Sequence, residues 1–283
     1  MKNKLSLFAV PYVGWMSIFV VAPIIIMVVY AFSTAAGDFT LENFARMGTY
    51  TAVFTRSFKL AIIATLIALL IGYPVSYMLS KEGPQVQRIA MVLIMLPMWM
   101  NFLLRTYSWM AILENNGLLN QLFRKIGLIA LYNNIFGTDI SFFRMINTQG
   151  AVVLGMVYNY VPYMILPLYT SMTKIDQSLV EAAQDLGANT TKTLVRVLIP
   201  MSVPGISTGI TMVFVPAVST FVISRMLGGG SNLLIGDLIE MQFLGNSYNL
   251  NVGSAMSLVL MIIVLLCMSF TSSFDEDEME GVS

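Results

Sequence analysis

The sequence contains no histidine, and Cys267 is its one cysteine. Histidine/cysteine metal sites, disulfides and histidine-based catalytic triads are thereby excluded. Charge is scarce: 11% of the 283 residues are charged, against about 25% in an ordinary soluble domain. The formal net charge is zero, which gives nucleic acid no electrostatic hold. No G-x-x-x-x-G-K-[ST] phosphate loop occurs. Gly228-Gly-Gly230 is the nearest approach, and no Lys-Ser/Thr follows it. Any work done with ATP is therefore expected on another chain.

The remaining residues are mostly apolar, 57% of the total, and the charges are unevenly placed. None falls between Lys4 and Asp38, Lys59 and Lys81, Arg144 and Lys174, Arg196 and Arg225, or Glu240 and Asp275. Each gap is long enough for a helix to cross roughly 30 Å of hydrocarbon. Repeated gaps imply a polytopic helical bundle, because lipid cannot satisfy open backbone groups. The sequence predicts an all-α integral membrane protein with six transmembrane helices, over about 8–32, 58–80, 88–112, 148–171, 201–224 and 251–273. The third contains Arg105, and its apolar neighbours Phe102, Leu103, Leu104, Trp109 and Met110 keep it in the count. Prolines 23, 74, 97, 162, 167 and 216 lie inside spans and are expected to kink them. The apolar run after Lys4 reaches Phe32, about twice the roughly 7–15 residues of a signal core. It reads as a span, although Ser33-Thr34-Ala35 resembles a cleavage site. Cys267 sits in an apolar run and reads as filling.

The longer polar segments 33–57, 113–147 and 225–250 fall on one side of the membrane, with Leu118–Ile129 an amphipathic surface helix. The other side receives the N-terminus, the 81–87 turn, the 172–200 loop and the acidic tail 274–283, which reads as a solvated end. Eight basic residues against seven do not orient the chain. Charge density slightly favours the side with shorter loops as cytoplasmic.

The 172–200 loop carries the strongest local signal. Asp176 and Ser178 are both good N-caps, and Ser178 with Glu181 fits a capping box. Gly187 is placed to end the helix in a left-handed conformation. A second short helix starts near Thr190 or Thr191 and runs to Ile199, with Pro200 separating it from the next span. Small Ala182 and Ala183 would let another surface approach closely. An ordinary loop helix fits these features equally well.

Glu181-Ala182-Ala183, then Gly187, then Val197-Leu-Ile199-Pro200 resembles the coupling signature of binding-protein-dependent ABC importer permeases, EAA, three residues, G, nine residues, I-x-L-P. The spacing matches throughout, with Val197 and Ile199 where Ile and Leu are usual. Three further segments are similar to spermidine/putrescine permeases: Pro97-Met-Trp99-Met-Asn101-Phe-Leu-Leu-Arg105-Thr-Tyr107, Pro162-Tyr-Met-Ile-Leu-Pro167-Leu-Tyr169 and Gly228-Gly-Gly-Ser-Asn232-Leu-Leu-Ile-Gly236. The resemblance implies a single MetI-like permease domain over 1–283 in a cytoplasmic (inner) membrane, with both termini and the 172–200 coupling loop cytoplasmic. It implies Glu181, Ala182, Ala183, Gly187 and Pro200 as the ATPase-coupling residues, and no enzyme activity or cofactor in this chain. Expected partners are an ATPase dimer holding ATP and Mg, a second homologous permease and an extracytoplasmic substrate-binding protein.

Polyamines are flexible cations that call for carboxylates, carbonyls and aromatic faces. The predicted spans hold no Asp or Glu, so a deep, tight cation site is not expected. The candidate path residues are Trp99, Asn101 and Tyr107 on the third span, Tyr158, Asn159 and Tyr163 on the fourth, and Asp237 and Glu240 on one face of a short helix. Packing for the tyrosines and solvent for the carboxylates are the plainer roles. Arg105 is expected to pair within the bundle or snorkel. Other cargo (sulfate, iron, thiamine) suits the same coupling loop. An ion-coupled carrier would leave that loop without a purpose, and a membrane enzyme lacks its catalytic groups.

Overall fold

A computed structural model describes residues 11–245 and 248–280, with the backbone alone for Gln177, Phe270 and residues 272–280. The start of the predicted first span, 8–10, and the end of the predicted tail, 281–283, lie outside the described residues. The fold is all-helical among those described. Among the described residues, four helices are long and apolar enough to cross a membrane, or up to six if each of two bent pairs is one span. They are α1 (Pro11–Ala31), the helical run Glu42–Ser80, whose main helix is α2 (Thr51–Ser80), α7 (Gln149–Met172) and the first part of α13 (Leu250–Glu280). The bent pairs are α3 (Pro84–Trp99) with the run Phe102–Lys125, and α9 (Thr190–Met201) with α10 (Val203–Ser219), bent by 89° and 70°.

The breaks differ from the predicted ones. The third span is interrupted at Met100, before Arg105: Met100 has an extended backbone, and Asn101 caps α4 (Phe102–Leu113) by accepting from the N–H groups of Leu103 and Leu104. Such a side-chain cap offers the backbone an alternative to continuing the helix. The predicted surface helix 118–129 is two helices, α5 (Leu118–Lys125) and α6 (Leu128–Phe136), parted at a left-handed Gly127. Pro74, Pro162, Pro167 and Pro216 sit inside continuous helices. The fifth span ends at Ser219, earlier than predicted, and Val222–Gly228 forms its own helix, α11. Helix α13 runs on to Glu280, through most of the stretch read as a solvated tail.

The chain divides into two compact units. The first comprises the residues up to Phe54 with Leu238–Leu265. Its core joins Ala31, Ala255 and Leu258 to Met27, Val28, Phe32 and Phe44, and Leu238, Val252 and Met256 to Tyr50 and Val53, with Met47 packed against both groups. Two asparagines brace its loop: Asn43 Nδ2 donates to the carbonyls of Ala31 and Ser33, and Asn251 Nδ2 to those of Tyr30 and Ser33.

The second unit, Thr55–Asp237 with Leu266 onward, is built on α7. In its apolar window 61% of the residues are buried, against none for α1. Lipid gives helices no hydrophobic reason to associate, so close packing must do it, and small residues at the seam allow that. Gly205 and Gly209 supply this on α10. A Cβ at Gly205 would stand 2.5 Å from Ser171 Cβ and 2.8 Å from the Pro167 carbonyl, and one at Gly209 would stand 2.6 Å from Met164 Sδ.

Candidate functional site: the coupling helices and the polar residues of the bundle

Helix α8 (Gln177–Asp185) starts at Asp176, whose carboxylate accepts from Ser178 N–H at 2.9 Å. Ser178 therefore lies inside the helix, the N-cap is Asp176, and the expected Ser178–Glu181 capping box does not form. The backbone and side-chain hydrogen bonds from Ser178 hold the Asp176 carboxyl below its ordinary range, because both favour the charged form. At the other end Gly187 adopts φ +81°. Gly187 N–H donates to Gln184 O at 2.8 Å and Ala188 N–H to Ala183 O at 3.0 Å, the paired bonds of a Schellman turn. Asn189 then caps α9, accepting from Lys192 N–H at 2.9 Å.

Pro200 does not separate α9 from the following span as predicted. The helix passes through it, by way of a π-helical turn at Leu194–Leu198, and bends after Met201. A proline has no N–H for the carbonyl one turn back, and a wider turn beside it relieves that mismatch. The bend is held at Ser202, whose buried hydroxyl lies 3.1 Å from Ile199 O and 3.1 Å from the Tyr73 hydroxyl.

Val180, Thr193 and Leu198 form the buried side of the two helices. Beside them lies a cavity of about 330 Å³ lined by Tyr77, Lys81, Gln87, Met172, Val180 and Leu198. Glu181, Ala182, Asp185 and Gly187 face outward, Ala183 is half-buried, and Leu186 is 90% exposed. Leu186 escaped sequence reasoning. Its signal is a bulky apolar residue directly before a glycine turn.

The predicted path residues divide. Trp99 and Tyr107 are open, at 85% and 53% exposure, and Tyr158 and Tyr163 are partly so. Tyr158 meets Trp109 edge-on with ring centroids 5.3 Å apart, joining α4 to α7, and Tyr163 lies 6.4 Å from Tyr160. Asn101 is occupied as a helix cap. Asn159 is buried and donates to Gly155 O at 2.8 Å.

Asp237 is not on an outer mouth: it is fully enclosed. Its Oδ2 accepts from the Ser224 hydroxyl at 2.5 Å and Leu234 N–H at 2.9 Å, and Arg225 Nε stands 3.7 Å from Oδ1. This network closes the glycine-rich loop between α11 and α12 (Ile235–Leu244), neither of which is among the spanning helices. Burial raises the Asp237 carboxyl above its ordinary range, partly opposed by the bonds from Leu234 and Ser224 and by Arg225. Glu240, three residues on, is half-buried.

Arg105 is enclosed within the bundle. It is 8% exposed, and its Nε and Nη1 have no hydrogen-bond partner among the described residues. Its guanidinium lies 5.9 Å from the Phe102 ring.

The two capped helices thus present Glu181 and Ala182 on their outward side. The family model of the binding-protein-dependent transport system inner membrane component matches residues 68–275. The chain belongs to this family. Among curated relatives, the spermidine/putrescine transport system permease proteins PotB of Salmonella typhimurium and Escherichia coli are each 37% identical over 263 residues, covering 90% of this chain and 88% and 92% of theirs. That of Haemophilus influenzae is 36% identical over 274 residues, covering 94% and 92%. Among solved structures, a bacterial ABC transporter that imports the acidic polysaccharide alginate aligns with a TM-score of 0.73 at 17% identity, covering 98% of this chain and 96% of that one. The MetNI methionine transporter aligns at 0.55 and 17% identity, covering 81% and 95%. These two likenesses concern the fold. The chain is a multi-pass membrane transport subunit with the architecture of ABC importer permeases, and not a catalytic enzyme.

Proposed function

We propose that this chain is one permease subunit of an ATP-driven importer of spermidine and putrescine. The observation that carries the cargo is identity of 36–37% to PotB permeases over at least 90% of the chain. In this reading a homologous permease completes the path, an extracytoplasmic binding protein delivers the polyamine, and an ATPase dimer holds ATP and Mg. The coupling loop faces the cytoplasm, as do both termini. The ATPase receives Glu181, Ala182 and Leu186, and its closure moves α8 and α9 as a unit. The Schellman turn fixes the angle between the two helices, Pro200 lies in the stretch that carries the motion to α10, and the cavity beside Val180 leaves room for it. Along the path, Trp99, Tyr107, Tyr158 and Tyr163 are the side chains still open to a cation.

The test is uptake of labelled putrescine and spermidine by the reconstituted complex. Gly187→Asp places a side chain at φ +81°, and Glu181→Lys reverses the charge on the outward face. Both are expected to abolish uptake and ATPase stimulation together. If transport and coupling survive both, the coupling assignment is wrong. Uptake of another solute in place of polyamines would overturn the cargo assignment alone.

A further inference from the structure

The first compact unit carries an open cavity of about 510 Å³ at the end of α1, where Tyr30, Glu42, Arg46, Tyr248, Asn249 and Asn251 line it. None of these belongs to the predicted path. Its chemistry is specific. Arg46 directs both Nε and Nη2, at 3.2 and 2.8 Å, to one oxygen of Glu42, Oε1. The second carboxylate oxygen, Oε2, keeps its capacity to accept. The two side chains are 54% and 62% exposed, so the pair is held in a watery environment where a rival cation can compete. Asn251 commits its N–H groups to Tyr30 O and Ser33 O, which leaves its carbonyl oxygen as a further acceptor. The rings of Tyr30 and Tyr248, 42% and 64% exposed, add faces on which an ammonium or its methylene chain can rest.

We propose that this cavity is a low-affinity way-station for the primary ammonium groups of a flexible polyamine: Glu42 Oε2 and the Asn251 carbonyl accept, the two tyrosines form walls, and Arg46 is the built-in competitor. An ammonium is a compact charge with three donors, so it needs several convergent oxygens more than a bidentate partner. Arg46 makes the empty site neutral. Binding is thereby kept weak, as a transit site must be if cargo is to leave it. The size falls within the range of small-molecule sites, roughly 300–1,000 Å³. The inference rests on the polyamine reading above and names residues for it that lie outside the predicted path.

Arg46 and Glu42 should respond with opposite sign, which separates a binding role from a structural one. Binding of labelled spermidine to the complete transporter in nanodiscs, without binding protein, is measured for wild type, Glu42→Gln, Glu42→Asp and Arg46→Gln. Arg46→Gln removes the competitor and is expected to tighten binding by about two- to fivefold. Glu42→Gln should weaken it by a similar factor, and Glu42→Asp should retain most of it. If the two partners shift binding in the same direction, or not at all, the way-station is overturned. It is equally overturned if both leave spermidine binding unchanged but weaken attachment of the binding protein, which would make the cavity a docking surface. A wild-type complex that carries no polyamine overturns the cargo reading and this one with it.

Discussion

Asp237 holds the glycine-rich loop closed from within, its Oδ2 accepting from Leu234 N–H and the Ser224 hydroxyl. Its spacing from Glu240 suggests an exposed acidic face, yet the side chain is enclosed. The sequence signal that was available is the glycine run just before it, which needs an internal acceptor to close on. Asp237→Ala would orphan two donors at roughly 1–3 kcal/mol each, so the melting temperature in detergent should fall by several degrees. Asp237→Asn keeps an acceptor oxygen and is expected to melt near wild type at neutral pH. Because burial raises this carboxyl, the stability linked to its protonation is present below the unfolded value, about 3.9. That stability is lost as pH rises through the folded value. Melting followed across that range should decline with pH in wild type and less so in Asp237→Asn. Asp176 has the opposite sign: its lowered carboxyl stabilises the start of α8 above the unfolded value, and the effect disappears only as pH falls through the folded one.

At the scale of elements, the spans were legible because charge gaps report hydrocarbon thickness directly. The breaks were not. A capping asparagine at 101 and a hydroxyl lodged against Ile199 and Tyr73 at 202 decide where two helices turn, and neither announces itself by composition. Prolines, the obvious candidates, are mostly carried inside unbroken helices, since neighbouring groups can make good the missing bond. The seam between α7 and α10 is likewise set by what is small. Gly205→Leu would drive a side chain into Ser171 and the Pro167 carbonyl. Overpacking of this kind costs about 1–3 kcal/mol, and a lower folded yield in detergent with earlier melting is the expected outcome. Gly37→Ala, with no neighbour within 4 Å of its Cβ, provides a comparison in which only backbone strain at φ +94° is altered.

For the whole molecule, the capped pair α8 and α9 was the most readable part, because its caps and glycine turn are local chemistry fixed by a few adjacent residues. The proposed path residues were the least readable, since burial decides which are available: Asn159 and Asp237 are withdrawn, while Trp99, Tyr107, Tyr158 and Tyr163 stay open. Leu186 gives a further check on coupling. It is 90% exposed, so Leu186→Asp should leave the stability of the isolated permease unchanged within about 0.5 kcal/mol. The same change should sharply reduce copurification of the ATPase. The apolar window of α1 has no buried residue, and this has a consequence for the lipid. Its 21 residues span about 32 Å at 1.5 Å per residue, close to the hydrocarbon thickness of an average bilayer. Packing within this chain therefore governs the tilt of α7, whereas it leaves that of α1 to the surroundings. Hydrophobic mismatch in a thinner or thicker membrane should be absorbed first by α1 leaning or straightening.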